Sequence, residues 1–244
     1  IGTLDRDETT AGIPILGHLA VALADAGYAV LRYDKRGTGQ SGGRTESATL
    51  TSYADDVSRV VDWLMRRKDV DPNRIAVVGY GDGGSLALVA AGRGKAIRAV
   101  ALLATAGRAG REVALEQQQK ELARLAITDA DKAAKIALQT RLLDAAATGK
   151  GWDAVPGDVR KASDTPWFRS WVLFDPVAAL AKLSQPVLIV HGALDRQVPV
   201  AHADRLESAS RARKQSPVPP TRKVVIPGVN HLFVAATTGE VGEY

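Results

Sequence analysis

Short apolar runs at Tyr28 to Tyr33, Ile75 to Val78 and Ala99 to Leu103 alternate with helical patterns, and the alternation resumes with Pro186 to Val190 and Arg222 to Ile226. The apolar runs lack the polar and apolar alternation of a strand with one wet face, so they belong in a parallel sheet covered on both faces. The intervening helices are legible from period. Ile15, Leu19 and Leu23 recur at helical spacing before Gly27, and Val57, Val60, Val61 and Leu64 put one apolar face on a helix over Tyr53 to Arg67. Ser85 to Ala91 and Ala201 to Ala209 read as further helices. The expected fold is therefore α/β, with a doubly wound, mostly parallel sheet.

Between about 108 and 171 the pattern changes to consecutive helices, clearest at Glu112 to Ala126 and Ala130 to Ala147, with no strand among them. The expected organisation is one core, residues 1–107 and 172–244, carrying a helical insertion at 108–171. A chain of 244 residues with 45% hydrophobic content suffices for one such core. The net charge of +5 invites a polyanionic partner, but the basic residues are spread among 27 acids, and no nucleic acid is expected. The densest basic run, Arg211 to Lys214, reads as a solvated helix end. No run approaches the roughly 18 apolar residues of a membrane helix, so no membrane span is expected. The chain holds no cysteine, which excludes disulfides and thiolate chemistry. It opens on Ile1, and neither compartment nor oligomeric state can be read from it.

The chemistry concentrates in three loops. The strand ending at Val78 runs into Gly79-Tyr-Gly-Asp-Gly-Gly84 and then a helix of small residues. Later come Val190-His-Gly-Ala-Leu-Asp195-Arg-Gln-Val-Pro199 and Pro227-Gly-Val-Asn-His231-Leu-Phe233, each following a strand. A His and an Asp in loops often form no more than a surface hydrogen bond; both following strands in this order points to a site. His18, His191 and His202 are read as structural or solvated.

On these residues the chain resembles the α/β-hydrolase family, serine esterase or aminopeptidase-like, over nearly its whole length. That family's strand, Gly-x-nucleophile-x-Gly, helix elbow aligns with Gly79 to Gly83 and puts Gly81 where the nucleophile stands. The resemblance implies that His231 is the base, Asp195 its orienting partner, and the backbone N–H of Asp82 an oxyanion donor. It implies a second oxyanion donor near Gly2 and Thr3, a pocket that includes Tyr80, and a lid made by residues 108–171. It also implies a chain incomplete at both ends and hydrolysis of a carboxylic ester, or of a peptide or amide. The ligand implied is a small acyl ester under the lid, with neither cofactor nor metal.

With glycine at 81 the triad is degenerate. Activity then requires Asp82 as a carboxylate nucleophile, Ser85 from a displaced elbow, or water activated by His231. A different function class also fits: Gly79-x-Gly81-x-x-Gly84 after a strand is the dinucleotide-binding fingerprint, and Gly37-x-Gly39-x-x-Gly42 repeats its spacing. That reading needs an acid about 20 positions on, at the end of the next strand, where the chain has Leu103-Ala-Thr-Ala-Gly107.

Overall fold

A computed structural model describes residues 5–244. The chain opens with a two-stranded antiparallel ribbon, β1 (Thr9–Thr10) and β2 (Ile13–Pro14), followed by α1 (Ile15–Asp25). Then come α2 (Leu50–Met65), β3 (Ala76–Tyr80), α3 (Asp82–Ala91) and β4 (Ala99–Leu103). Four helices follow with no strand between them: α4 (Gly110–Arg124), α5 (Asp129–Thr148), α6 (Gly157–Ser163) and α7 (Pro166–Val172). The core resumes with α8 (Pro176–Leu180), β5 (Val187–Gly192), α9 (Ala201–Arg211) and β6 (Thr221–Ile226). Strands β3 to β6 form one parallel sheet in sequence order, with Val78 opposite Ala101, Ala101 opposite Leu188, and Leu188 opposite Arg222. No helix among the described residues is long and apolar enough to cross a membrane.

Local chemistry fixes the helix starts. Thr49 and Ser52 form a reciprocal capping box before α2, at 3.1 and 3.3 Å. Thr165 and Asp175 cap α7 and α8, each followed by a proline whose missing N–H costs nothing in the first turn. The main core lies on one sheet face, where Val100, Leu102, Val187 and Ile189 pack against Ala54 and Val61 of α2, Leu88 of α3, Leu180 of α8 and Leu206 of α9. Helices α4 to α7 enclose a second apolar cluster of their own, built on Ala114, Leu142, Leu143, Trp152 and Val172. Their two ends meet, because the Gly110 N–H donates to the Phe174 carbonyl at 3.2 Å.

Two expectations are corrected. Tyr28 to Tyr33 forms no strand, and Tyr28 is 59% exposed. Its apolar character licensed a buried strand, but a strand exists only through a ladder partner, and this segment has none among the described residues. The sheet is also covered unevenly: Val78 and Leu188 point to the face opposite the main core and remain partly exposed. α1 buries only Ile15 and Ala20, too little apolar surface to close that face.

Candidate active site

The three loops leave the carboxyl ends of β3, β5 and β6, where ligands of open parallel sheets bind. At the first, the chain turns from β3 into α3 through Gly81, with φ +54° and ψ −122°. This combination is open to glycine and strained for other residues. The Gly81 N–H donates to the Leu103 carbonyl at 2.9 Å, and the Gly84 N–H donates to the Gly81 carbonyl at 3.1 Å, so the turn is pinned on both sides. A Cβ on Gly81 would meet no atom within 4 Å. Gly79 and Gly84 are different: a Cβ on the first would lie 2.3 Å from the Gly83 carbonyl oxygen, and on the second 2.1 Å from Thr105 Oγ1. Close packing of the turn therefore accounts for two glycines of the dinucleotide fingerprint without a pyrophosphate. In the other glycine-rich loop, the Asp34 carboxylate takes up the Gln40 N–H at 3.0 Å and the Arg6 guanidinium. The strand order also never reverses among the described residues, so the crevice that dinucleotides use is not formed there.

Helix α3 begins at Asp82, three residues before the Ser85 start read from the sequence. Ser85 thus lies inside the helix and is buried, away from the turn, so the displaced elbow does not form.

Asp195 and His231, 36 residues apart, come together: His231 Nδ1 donates to Asp195 Oδ2 at 2.7 Å. This bond fixes the tautomer and leaves Nε2 of the neutral ring as the basic nitrogen. Asp195 is fully buried, and its other oxygen accepts the Val198 N–H at 2.8 Å. His191, also buried, brings Nε2 to 2.6 Å from the Val198 carbonyl and 3.4 Å from Asp195 Oδ2. The Asp195 loop is thereby braced by a histidine four residues upstream, one the sequence reading gave as structural or solvated. The His231 loop is tied to β3: the Tyr80 hydroxyl donates to the His231 carbonyl at 3.2 Å, and the two rings lie 5.3 Å apart. Phe233, at φ +59°, sits 6.2 Å from the Tyr80 ring, so the His231 loop carries backbone strain where it meets β3. Burial pushes the Tyr80 phenol well up, keeping it neutral and a donor.

Two contacts absent from the sequence reading join the helical segment to this site. The Trp171 indole N–H of α7 donates to Asp82 Oδ1 at 2.9 Å. On α9, His202 accepts the Gly107 N–H on Nδ1 at 3.0 Å, which makes Nε2 the donor to Glu116 of α4 at 3.1 Å. No spacing rule connects residues 89 or 86 positions apart. Gly2 and Thr3, expected to supply the second oxyanion donor, lie outside the described residues. A groove of about 530 Å³ lined by Val30, Leu31, Trp63 and Val70 among others includes none of the residues just described.

Burial acting alone would raise the Asp195 carboxyl. The hydrogen bonds from His191 and His231, the His231 charge and the Val198 N–H outweigh it and hold the group at about 2, against 3.8 ordinarily. A carboxyl depressed by folding stabilises the fold fully above its unfolded value, and that contribution disappears as pH falls through its folded value. Asp195 should thus contribute about 2 kcal/mol at neutral pH, lost between about pH 4 and pH 2. Denaturant unfolding across that window should show a shallower pH slope in Asp195→Asn than in the unaltered chain. Equal slopes would mean that the pair contributes nothing to stability.

Comparison with known proteins bears on the family and the fold. A family model described as serine aminopeptidase, S33, matches residues 13–150. An uncharacterised protein of Mycobacterium tuberculosis is 28% identical over 217 residues, 87% of this chain and 56% of its own length. Esterase EstD of Thermotoga maritima is 28% identical over 197 residues, 81% of this chain and 45% of its own. The chain thus spans about half the length of the curated relatives it matches. Among solved structures, an α/β hydrolase from Penicillium superposes with a TM-score of 0.60 at 18% identity, covering 94% of this chain and 79% of that one. An esterase of Pyrococcus furiosus gives 0.58 at 16% identity, covering 89% and 67%. These likenesses show the fold.

Proposed function

The chain belongs to the serine aminopeptidase S33 family of α/β hydrolases, related to esterases, and from that premise we propose that it is a catalytically impaired member that binds a small acyl ester or similar ligand. The single observation behind this reading is the pairing of His231 with Asp195 at 2.7 Å in a chain whose elbow carries no side chain at its turn. His231 is the base, Asp195 orients it, the Asp82 N–H is an oxyanion donor, and Gly81 is the seat of a missing hydroxyl. Residues 108–171 serve as the lid, and the Trp171 to Asp82 bond supports this by joining the helical segment to the elbow. Tyr80 lines the pocket. Gly2 and Thr3 retain the second oxyanion role as part of the same proposal.

An acyl-enzyme needs an oxygen or sulfur nucleophile to hold the acyl group, and water activated by His231 reacts without one. The purified chain should hydrolyse short acyl p-nitrophenyl esters without a burst, and a fluorophosphonate probe should not label it. Labelling at any serine would overturn the missing-nucleophile reading.

A second reading is favoured by one specific contact. Asp82 directly follows the turn, with its carboxylate held by Trp171, which is how a carboxylate nucleophile would be aimed. Asp82→Asn separates the two: turnover abolished by that change alone would establish the carboxylate mechanism, whereas turnover within a few-fold of the unaltered chain would leave His231 and water.

A further inference from the structure

In a parallel sheet every strand begins at the same end, so every loop that leads from a helix into a strand lies at that end. Here those loops are 66–75, 92–98, 181–186 and 212–220, all at the end opposite Gly81, Asp195 and His231. The sequence reading found the basic residues dispersed along the chain; the fold gathers them. These four short loops hold ten of the chain's 32 Lys and Arg but only Asp69 and Asp71 of its 27 acids. That is a net +8 in a chain of net +5, so the remainder is net negative.

Nine of the ten are exposed, the exception being Arg213. Arg67 pairs with Asp69, and Arg93 with Asp55 of α2. Arg66, Lys68, Arg74, Lys95, Lys182 and Lys214 form no ion pair among the described residues. Bulky apolar side chains stand among them: Trp63 is 46% exposed beneath the Arg67 guanidinium, 4.9 Å from its ring, Met65 is 39% exposed, and Val218 is 46% exposed on the loop before β6. The groove lined by Trp63, Arg67 and Val70 adjoins them.

We propose that this basic pole is a docking surface for anionic phospholipid membranes, with Trp63, Met65 and Val218 entering the headgroup layer. Basic residues supply attraction to an anionic leaflet within a Debye length, and an interfacial indole supplies an apolar anchor with a polar edge. Nucleic acid fits less well. It selects a groove or stripe of cations with aromatic faces free for stacking, whereas here the charge is spread over four loop tips and an arginine covers the Trp63 face. Docked this way, the chain would hold the candidate site on the side away from the bilayer. The proposal is independent of whether that site is catalytic.

The test is co-sedimentation of the 244-residue chain with phosphatidylcholine vesicles, with and without one-third phosphatidylglycerol. Binding is expected only to the anionic vesicles and should weaken steeply between 0.05 and 0.5 M salt. The triple change Arg66→Gln, Lys68→Gln, Lys95→Gln should weaken it on the order of 100-fold with an unchanged unfolding midpoint. The same number of neutralisations on α5, at Lys132, Lys135 and Arg141, should leave it within a few-fold. Trp63→Ala should weaken binding further without altering the salt slope. No binding to anionic vesicles at low salt would overturn the proposal, as would equal losses from the two triple variants. So would binding to duplex DNA or RNA that the pole variant loses while vesicles are ignored.

Discussion

Gly81→Ser is expected to let the chain form an acyl-enzyme at position 81, with ester turnover rising by about 10³-fold. Where the rest of a triad is intact, its serine is worth about 10⁶ in turnover, and each oxyanion donor about 10² to 10³. The strain that a side chain at position 81 brings to the turn works against ideal placement of the new hydroxyl, which sets the expectation nearer the middle of that range. The structure admits the change sterically, since nothing lies within 4 Å of the new Cβ. The obstacle is conformational. At φ +54° any side chain is strained, so the variant should lose about 1 to 3 kcal/mol of stability. Burst kinetics, fluorophosphonate labelling of the variant and a denaturant midpoint lowered by that amount check both halves. A variant that is destabilised yet neither labelled nor faster would show that His231 cannot reach the introduced hydroxyl. Gly81→Ala separates the effects, because it carries the strain without the oxygen.

Arg213 should be among the costlier polar side chains to remove. It is buried without an acid partner among the described residues, and burial lowers its pKa. Its guanidinium is satisfied by backbone instead, donating to the carbonyls of Ser210, Leu183, Gln185 and Pro219 at 2.6 to 3.2 Å and to Thr221 Oγ1 at 3.2 Å. One fork thus ties the loop before β5 to the loop before β6. Arg213→Met keeps much of the bulk but leaves several carbonyls unpaired at about 1 to 3 kcal/mol each, offset by removal of a buried charge. The net loss should be on the order of 3 kcal/mol, or roughly 10 °C in Tm for a chain of this size. Arg213→Lys should recover only part, because three donors on a point charge cannot span acceptors that a planar fork reaches together. Calorimetry of both variants decides; a Met variant within 1 kcal/mol of the unaltered chain would mean that these carbonyls are readily hydrated.

The contrast between Arg213 and the sheet shows what a sequence of this kind discloses. Strands over 76–80, 99–103, 187–192 and 221–226 were legible to within two residues, since an apolar run of that length between helices has few alternatives. Tyr28 to Tyr33 carried the same signal and failed, because strand identity belongs to a pair and the partner is not in the pattern. Asp195 and His231 could be paired from their places after two strands, in the order that the family resemblance implies. Arg213 was misread because its partners are backbone carbonyls, which every residue has and no composition marks. Trp171 and His191 were missed for a related reason: they act on Asp82 and on the Asp195 loop through contacts that only the folded chain brings about. The elbow was legible in its glycines, but its start at Asp82 was placed late, as a helix beginning with two glycines offers little propensity to read.

The hydrogen bond between Gly110 and Phe174 closes the helical segment on itself at its base, and the segment carries its own apolar cluster. A piece so attached leaves and rejoins the core at one place, and it touches the core elsewhere through side chains such as Trp171 and Glu116. Adding or deleting a helical turn within it changes the closure entropy by only a fraction of 1 kcal/mol and strains no strand. What such edits do alter is the reach of Trp171 toward Asp82. The helical segment can thus change in length while the sheet stays as it is, so the surroundings of Asp82 and the stability of the fold are set by separate parts of the chain.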